Sequence, residues 1–320
     1  MNWQKTTFSH IQALHTCALS NDFFANNYSA VNSVLYEQKF HSLIAIEGDW
    51  IYEAYSAAGK TMDSPSVFGF PHNTKGDKRA VSDAVAKLVD NATHSGNNPH
   101  GGKSIVFANI LSEEKDILLT LYPNARATAT PESGDYLYRT EHLAGLAGKK
   151  YSRKRNHIHQ FHNNYPACTY EPLTKENCAA VRNIEESWLS ENSDTGKTEA
   201  GTHDDLLVER NIIFCALEHF DTFANSCGMS GGVLFVSGQP VAFCIASLLS
   251  TNVTNVHFEK CISPFARNGG YAVINNEFAK NVKTEFINRE EDLGIEGLRK
   301  AKLSYYPVQV LEKWTVSIPL

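Results

Sequence analysis

One run of apolar segments and glycines in the second half of the chain constrains the fold more than any other feature. Two extended segments, Val233 to Val236 and Val241 to Leu248, flank Ser237-Gly238-Gln239-Pro240, a pattern that predicts a hairpin. A third extended segment, Val253 to Ile262, is followed by a glycine turn, and residues 271 to 282 then have helical spacing. Antiparallel strands that lead into a strand, a glycine turn and a helix indicate a mixed α/β architecture.

The same reasoning predicts further elements on both sides of this run. Helices are predicted around 9–19, 81–89, 113–121, 143–163, 177–191, 206–225 and 294–303. Strands are predicted at 42–46, 50–55, 104–108, 128–130, 136–138, 285–288 and 308–318. The second half repeats the element order of the first without repeating its sequence. We therefore expect an α/β (α+β) fold with mixed, mostly antiparallel sheets flanked by helices.

Length and composition narrow the class of protein. A chain of 320 residues suggests two domains, since a domain takes about 100 to 200 residues. The net charge of -6 argues against a generally basic nucleic-acid binder, although a local basic patch is compatible with it. The seven cysteines include no C-x-x-C pair, which is typical of free thiols in a reducing compartment. Because the sequence lacks both a secretory pattern and an apolar segment of about 18 residues, we expect a cytoplasmic protein.

The turn that follows the third strand fits the pattern R-x-x-G-x-A. It consists of Arg267, Asn268, Gly269 and Gly270, followed by Tyr271-Ala272. Glycines let the backbone approach an anion, and the N–H groups of a following helix attract negative charge. The alternative is a tight strand-to-helix turn without a ligand. We predict that these four residues bind the phosphates of a donor molecule.

A basic segment precedes the second half. Five of the seven residues from Lys149 to Arg155 are basic: Lys149, Lys150, Arg153, Lys154 and Arg155. On a helix, Lys154 falls in the apolar stripe between Tyr151 and Ile158, where its ammonium must snorkel or find a partner. One interpretation is a solvated basic face with one snorkelling lysine. The other is a binding site for phosphates, with Asn156 contacting the substrate.

A third group of polar residues lies at the predicted strand end near residue 288. Glu290, Glu291 and Asp292 precede a predicted helix, where negative charge stabilises the N-terminus. Asn288 and Arg289 need another explanation, because strand ends in α/β folds border ligand crevices. We therefore predict that Asn288, Arg289 and Glu290 bind substrate. A purely structural alternative is a salt-bridge network of Lys154, Glu290 and Asp292 between the domains.

Two further patterns are set aside. Gly59-Lys60-Thr61 and Gly196-Lys197-Thr198 lack the earlier glycine that a nucleotide-binding loop requires. His157 and His159 are two residues apart, and such positions on a helix point about 200 degrees apart, so these two and His162 do not all converge on zinc. We expect no metal.

Several of these segments together resemble a known family. The segments are Gly148 to Tyr151 with Lys154-Arg155-Asn156, Phe258-Glu259-Lys260, Asn288 to Gly294, and Gly297 to Lys302. They are similar to those of a largely uncharacterised bacterial family that is grouped with the C-terminal domain of the phosphatidylglycerol lysyltransferases. The similarity covers most of the chain from about Asp135 onward.

The resemblance implies two GNAT-like acyltransferase domains in tandem, a plan shared with Fem-type peptidoglycan aminoacyltransferases. It implies an N-terminal domain over 1–142, a basic connecting helix over 143–164 and a C-terminal domain over 165–320. Such relatives move an aminoacyl group from tRNA to a lipid or amine acceptor. By position, Arg267, Gly269 and Gly270 then correspond to the pyrophosphate loop of the GNAT fold.

Acyl transfer also needs a base for the attacking amine and a proton for the leaving group. Glu259 is the candidate base, and alternation along the strand places His257 and Cys261 on its side. The alternative for Glu259 is an ion pair with a nearby lysine. Tyr305 is the candidate proton donor, with Tyr306 as an equal contender.

The leading hypothesis is therefore an acyl or aminoacyl transferase. Its donor is acyl-CoA or aminoacyl-tRNA, held by the glycine turn and the basic helix. Its acceptor is a small-molecule or lipid-like amine or hydroxyl compound. The alternative is a non-catalytic module with a duplicated acyltransferase fold, which binds a phosphate-bearing metabolite or a protein partner.

Overall fold

The computed structural model describes residues 1–55, 67–94, 104–193 and 203–320. The chain forms two compact units, Met1–Asp135 with Val310–Leu320, and Tyr136–Gln309. Both Gly-Lys-Thr sequences that were set aside above lie outside the described residues.

The first unit combines helices with an eight-stranded mixed sheet. Its elements up to residue 129 are β1 (Gln4–Lys5), α1 (Ile11–Asn21), α2 (Ala30–Leu35), α3 (Glu37–Phe40), β2 (Leu43–Glu47), β3 (Trp50–Tyr55), β4 (Val67–Phe68), β5 (His72–Asn73), α4 (Val81–His94), β6 (Ser104–Ile110), α5 (Ser112–Leu121) and β7 (Arg126–Ala129). Helices α4 and α5 pack on the sheet because their apolar residues recur on one face, and Val85, Leu88 and Leu118 are fully buried there.

The second unit contains the elements of the glycine-turn region. They are β8 (Asp135–Arg139), α6 (Thr140–Gly145), α7 (Ser152–Asn164), β9 (Cys168–Pro172), α8 (Cys178–Ser193), α9 (His203–Glu218), α10 (Phe220–Cys227), β10 (Ser230–Val236), β11 (Gln239–Leu248), β12 (Val253–Cys261), α11 (Gly270–Asn281), β13 (Phe286–Asn288), α12 (Glu296–Leu303) and β14 (Gln309–Leu311). Strands of this unit lie in the order β8, β13, β12, β11, β10, β9. The hairpin predicted around Gly238 is β10 and β11, and the helix after the glycine turn is α11.

The last strand, β15 (Trp314–Pro319), belongs to the first sheet. It is antiparallel to both β6 and β7, with Ile318 opposite Ile105 and Thr315 opposite Thr128. In the second sheet, β13 is antiparallel to β8, a strand from the middle of the chain. Because β15 pairs with β6 and β7, the C-terminal segment groups with the first unit. The division expected from the sequence places this segment in a domain over 165–320.

A buried polar cluster fastens the C-terminal segment to the first unit. The Lys313 ammonium donates to Asp135 at 2.7 Å and to the side-chain oxygen of Asn26 at 2.5 Å. Asp135 also accepts from the backbone N–H of Asn26 at 2.6 Å. Lys313 and Asp135 are 3% and 0% exposed, so the pair is fully desolvated and satisfied within the protein.

The single helix predicted over 143–163 is wrong in one respect, because the structure divides it. Helix α6 ends at Leu146, whose φ of 45° is left-handed, and Gly148 follows with φ of 87°. Helix α7 then begins after a 3-10 turn over Lys149–Tyr151. A left-handed residue ends an α-helix. The mixed α/β fold with helices on both sheets is confirmed.

Candidate active site

Strand β12 is paired unequally on its two sides. It is antiparallel to β11 along most of its length, from Thr254 to Cys261. On its other side it is parallel to β13 over Val253–Asn255 alone, and β13 ends at Asn288. The second half of β12 therefore separates from its parallel neighbour, and the side chains that follow β13 enter this opening.

An ion pair spans the opening. The Arg289 guanidinium donates to Glu259 at 2.9 Å, and the two side chains are 13% and 12% exposed. The second carboxylate oxygen of Glu259 accepts from the Asn275 amide at 3.3 Å. Both oxygens are thus engaged, and the ion-pair alternative for Glu259 is realised with an arginine in place of the expected lysine. A carboxylate held in this way serves poorly as a general base.

Arg289 lies among aromatic rings. Its guanidinium carbon is 4.9 Å from the ring centre of Tyr305 and 5.8 Å from that of Tyr138. Burial, the largest single effect, acts to lower the pKa of Arg289, but the Glu259 carboxylate together with Tyr138, Tyr305 and Cys244 outweighs burial, and the pKa is raised. The second terminal nitrogen, Nη1, is buried and has no hydrogen-bond partner among the described residues. Arg289 is therefore a permanent cation with one unused donor group.

Lys154 is the residue of the basic segment that joins this cluster. Its ammonium lies 3.7 Å from the ring centre of Tyr305, a cation–π contact. It is half-buried, and it forms no ion pair with a carboxylate in the described ranges. Burial and then the nearby Arg289 charge lower the pKa of Lys154 to about 8, while Glu259 acts in the opposite direction. The position between Tyr151 and Ile158 in the apolar stripe is thus occupied by a lysine whose ammonium contacts the ring of Tyr305.

Tyr305 forms the wall of the site. It is 5% exposed, and its neighbour Tyr306 is 45% exposed. Its backbone carbonyl accepts from the Tyr151 hydroxyl at 3.1 Å, which ties it to the start of α7. Burial raises the pKa of the Tyr305 phenol well above its ordinary value. A phenol that is so hard to ionise is a weak proton donor at neutral pH, and the aromatic face becomes its main contribution.

Lys302 supports the cluster, although the sequence patterns did not assign it to the site. Its ammonium donates to the backbone carbonyls of Arg289 and, at 3.2 Å, of Glu290. Burial, followed by the Arg289 charge, lowers the pKa of Lys302 to about 8, and the carboxylates of Glu291, Glu290 and Glu259 oppose this. Lys302 thereby fixes the backbone that presents Arg289. Its sequence signal was its place in the segment Gly297 to Lys302, which is part of the family resemblance.

Asn288 and Glu290 shape the same turn. The Asn288 side chain, fully buried, accepts from the backbone N–H of Glu290 at 2.7 Å. Glu290 has a left-handed φ of 55°, and its carboxylate accepts from Asn255 at 2.6 Å and lies 3.2 Å from His257. Both residues therefore hold the Arg289 turn, and their side chains are engaged within the protein.

The expectation that His257 shares the side of Glu259 is wrong. Ile245 pairs with Phe258 and Ala246 pairs with Val256, so His257 is an extra residue in β12. Such a bulge breaks the alternation of side chains. His257 instead contacts Ser247 at 2.7 Å through its Nε2 atom.

The backbone amides of the glycine turn are engaged within the turn. Asn268 and Gly270 donate to the carbonyl of Phe265 at 3.1 and 2.9 Å, and Gly269 donates to Ala266 at 3.3 Å. The Asn268 side chain donates to the Tyr165 hydroxyl at 2.7 Å. These groups are thus not directed at an anion, contrary to the expectation of a phosphate loop at Asn268 to Gly270.

Close packing explains the two glycines. Gly269 has φ of 104°, and a Cβ there would lie 2.7 Å from the carbonyl oxygen of His157 on α7. A Cβ on Gly270 would lie 2.5 Å from the sulfur of Cys261. The turn is therefore built to let α11 start directly against β12 and α7, which is the alternative without a ligand.

Most of the other predicted basic residues have exposed side chains, and the Lys150 ammonium lies 5.4 Å from the ring centre of Tyr306. Exposed side chains at this end of the unit are Lys149, Lys150, Arg153, Asn156 and Arg267. Arg155 donates to the carbonyls of Leu146 and, at 2.8 Å, Gly148, and thereby caps helix α6. The structure brings together Glu259, Tyr305, Arg289 and Lys154.

The network proposed for Lys154, Glu290 and Asp292 is not formed. Asp292 instead accepts from Arg299 at 2.8 and 2.9 Å and from the Tyr136 hydroxyl at 2.6 Å. Lys154 lies over Tyr305, as described above. Asp292 therefore orders the turn that precedes α12, while the acidic residue in the first turn of this helix is Glu296.

The described ranges contain neither a metal-binding cluster nor a membrane-spanning helix. No group of three or more His, Cys, Asp or Glu side chains is arranged there to hold a metal ion. No helix in the same ranges is both long and apolar enough to cross a membrane.

The fold is similar to several solved structures. A conserved protein of unknown function from Bacteroides thetaiotaomicron has a TM-score of 0.84 and 28% identity over 99% of each chain. L-PGS from Bacillus licheniformis has a TM-score of 0.63 and 13% identity, over 98% of this chain and 92% of that chain. FemX has a TM-score of 0.59 and 7% identity, over 100% and 98%. The expected α/β fold, with two mixed sheets flanked by helices, is thereby confirmed.

Sequence comparisons agree with this similarity. The chain is 21% identical over 189 residues, 58% of its length, to an uncharacterised protein of Mycoplasmoides gallisepticum, and it spans 56% of that relative. Residues 30–317 match the family described as phosphatidylglycerol lysyltransferase, C-terminal. Since this match extends over most of both units, the chain belongs to the family of phosphatidylglycerol lysyltransferase C-terminal domains.

Proposed function

We propose that the chain is an acyl or aminoacyl transferase whose reaction takes place at Glu259, Arg289, Lys154 and Tyr305. Membership of a transferase family supports the reaction class. The observation that carries the location is the pairing of a fixed guanidinium with a lysine that has no carboxylate partner in the described ranges, beside one aromatic ring. Such a group of donors stabilises the negative charge that develops on an acyl carbonyl.

Each residue then has a distinct role in transfer. The acceptor amine attacks the acyl carbonyl, and the oxyanion that forms is stabilised by the Arg289 Nη1 donor. The Lys154 ammonium protonates the departing oxygen or sulfur, and the amine nitrogen returns a proton to Lys154. A pKa of about 8, lowered chiefly by burial, suits a proton donor at neutral pH. Glu259 acts as a positioning residue that holds Arg289 and leaves proton transfer to Lys154.

The donor in this proposal is aminoacyl-tRNA or acyl-CoA. The amides of the glycine turn are engaged, so we assign the phosphates of the donor to exposed cations nearby. Lys149, Lys150 and Arg153 are exposed, and the segment from His142 to Tyr170 contains no acidic residue. Binding through such side chains weakens steeply as salt rises, because phosphate contacts release counterions.

The acceptor is proposed to be an amine or hydroxyl compound, either a small molecule or the headgroup of a lipid. We also propose a cytoplasmic location, which the seven unpaired cysteines support. The proposed reaction belongs to the second unit, Tyr136–Gln309, which contains the whole cluster.

A donor-consumption assay tests the function. The full chain is incubated with labelled aminoacyl-tRNA or acyl-CoA and a mixture of amines and phospholipids, and loss of label from the donor is followed over time. The proposal expects wild type to consume one donor, with a rate that falls with salt and on joint substitution of Lys149, Lys150 and Arg153 by Gln. Consumption of neither donor, despite binding of one, would refute it.

The engaged turn amides favour a second candidate, a binding module without turnover. In that case Glu259→Gln leaves ligand binding intact, and the wild-type protein releases every bound donor unchanged. Recovery of intact donor from the complex, measured by mass spectrometry, identifies this function. Recovery of a transferred acyl group excludes it.

A further inference from the structure

Two cationic side chains of the second unit keep a donor group that no acceptor of the described residues uses. Nη1 of Arg289 is buried without a hydrogen-bond partner among the described residues. Lys154 forms no ion pair in the same ranges, and its nitrogen contacts the ring of Tyr305. Both groups lie against this ring, at 3.7 Å for the lysine and 4.9 Å for the guanidinium carbon. A buried donor group without an acceptor costs free energy unless a ligand supplies the acceptor.

The carboxylates around this site are committed elsewhere. Glu259 accepts from Arg289 and Asn275 with its two oxygens. Glu290 accepts from Asn255, and Asp292 from Arg299 and Tyr136. Among the described residues, Glu259 is therefore the carboxylate in contact with the cluster, and it is already shared between Arg289 and an amide.

The third cation of the region is used differently. Lys302 donates to the carbonyls of Arg289 and Glu290, so its protons have protein acceptors. The amides at Asn268 to Gly270 are also engaged. Free donor capacity is thus concentrated on Arg289 and Lys154. Two donors beside the aromatic rings of Tyr305 and Tyr138 fit a compact anion better than a pyrophosphate, which requires a larger set of donors.

We propose that Arg289 and Lys154 bind a compact oxyanion, a carboxylate or a phosphate monoester, that a substrate carries beside its reacting group. The inference rests on the proposed function for its place in the reaction: Nη1 carries two N–H groups and the ammonium three, so each side chain can hold the substrate's anion with one and serve the reacting carbon with another. It narrows the substrates to those with an acidic group next to the amine, hydroxyl or acyl group. A plain alkylamine or an uncharged acceptor lacks the group that the two cations select.

Binding of small anions to the full chain tests this inference without any turnover. Acetate and inorganic phosphate are the probes, each titrated against chloride at equal ionic strength so that general screening is matched. Two readouts are taken, the melting temperature and the NMR titration of lysine side chains. The expected result is a saturable rise in melting temperature, accompanied by a rise in the pKa of Lys154, because a bound anion favours the ammonium.

Variants assign the effect to the site. Lys154→Met and Arg289→Gln are expected to abolish the saturable rise, with circular dichroism confirming the fold. Lys39→Met is the matched control, since Lys39 is exposed and lies 5.6 Å from the ring centre of Phe40; it is expected to bind as wild type does. A response to acetate alone identifies a carboxylate ligand, and a response to phosphate alone identifies a phosphate ligand.

Two results overturn the inference. One is the absence of a saturable response to either anion in the wild-type chain. The other is an equal loss of response in Lys154→Met and Lys39→Met, which would reflect general charge. The donor-consumption assay is read separately: transfer without anion binding refutes this inference alone, and anion binding without transfer refutes the proposed function alone.

Discussion

The ammonium of Lys154 lies 3.7 Å above the ring of Tyr305 and has no carboxylate within ion-pair distance in the described part of the chain. Burial lowers its pKa from 10.5 to about 8, so the folded protein holds this proton less tightly than the unfolded chain does. The charge therefore opposes folding below pH 8, and this penalty disappears as the pH rises through the unfolded value.

Lys154→Met is accordingly expected to stabilise the protein at pH 7. After discounting for partial exposure, the gain is about 1 to 2 kcal/mol. Urea unfolding at pH 7 and at pH 10 measures it, and the gain should shrink at the higher pH. The control Lys39→Met should stay within about 0.5 kcal/mol of wild type. A loss of stability in Lys154→Met at pH 7 would mean that the ammonium is already paired.

The pKa of Lys154 also predicts how the transfer rate depends on pH in the alkaline range, the alkaline limb of the rate profile. Transfer requires protonated Lys154, so kcat/KM, which reports the free protein, is expected to fall about tenfold per pH unit above pH 8. Lys154→Arg keeps its charge throughout this range and cannot release a proton. Its rate should be low and flat across pH 7 to 10. An unaltered alkaline limb in this variant would assign the titration to another group, such as Lys302.

The Arg289–Glu259 ion pair predicts strong coupling in stability. Glu259→Gln leaves a buried guanidinium uncompensated and is expected to destabilise by about 3 to 5 kcal/mol. Replacing both residues should cost less than the sum of the two single changes. Denaturant unfolding of the four proteins measures the coupling. The exposed Lys175–Asp221 pair, treated identically, should give about 1 kcal/mol or less; coupling no larger than this for Glu259 and Arg289 would contradict the described contact.

Local sequence patterns predicted the elements of the second unit well. The hairpin at Gly238, the strand to Cys261 and helix α11 follow from apolar periodicity and turn residues, which act over short distances. Lys154 was identified as anomalous from its position in an apolar stripe. Its partner Tyr305 lies 151 residues further along the chain, beyond the reach of any periodicity argument.

The predictions that were wrong depended on tertiary contacts, which local sequence patterns do not contain. A bulge at His257 reverses the alternation of side chains in β12, and no residue type in the sequence indicates a bulge there. The glycine turn has the composition of a phosphate loop, but close packing against His157 and Cys261 also demands glycine. Pairing of β15 with β6 joins segments about 200 residues apart, and such contacts depend on tertiary structure.

The packing explanation of the glycine turn predicts a large difference between two glycines. Gly238→Ala faces open space at φ of 81° and should cost about 1 to 2 kcal/mol for its backbone alone. Gly269→Ala adds the clash with the His157 carbonyl and should cost at least about 3 kcal/mol. Thermal unfolding compares the two variants. Equal costs would show that the turn moves freely away from α7.

The role of the buried Lys313–Asp135 pair in holding the C-terminal segment to the first unit can be tested by substitution. Lys313→Met leaves Asp135 as a buried, uncompensated carboxylate and is expected to cost about 3 to 5 kcal/mol. Hydrogen exchange should show lost protection in β6 and β15. The exposed Lys75, paired with Asp49 at 2.7 Å, provides the control Lys75→Met, with a change below about 1 kcal/mol. Normal protection in Lys313→Met would contradict the role given to this cluster.

Single-turnover transfer tests the central claim most directly. Wild type, Lys154→Met and Lys39→Met are mixed with the donor that wild type consumes, and the acyl product is quenched and counted. Lys154→Met is expected to slow the chemical step by about 100-fold to 10,000-fold, the range for a lost proton donor, while Lys39→Met reacts as wild type does. Transfer by Lys154→Met at the wild-type rate would place the reaction elsewhere in the chain.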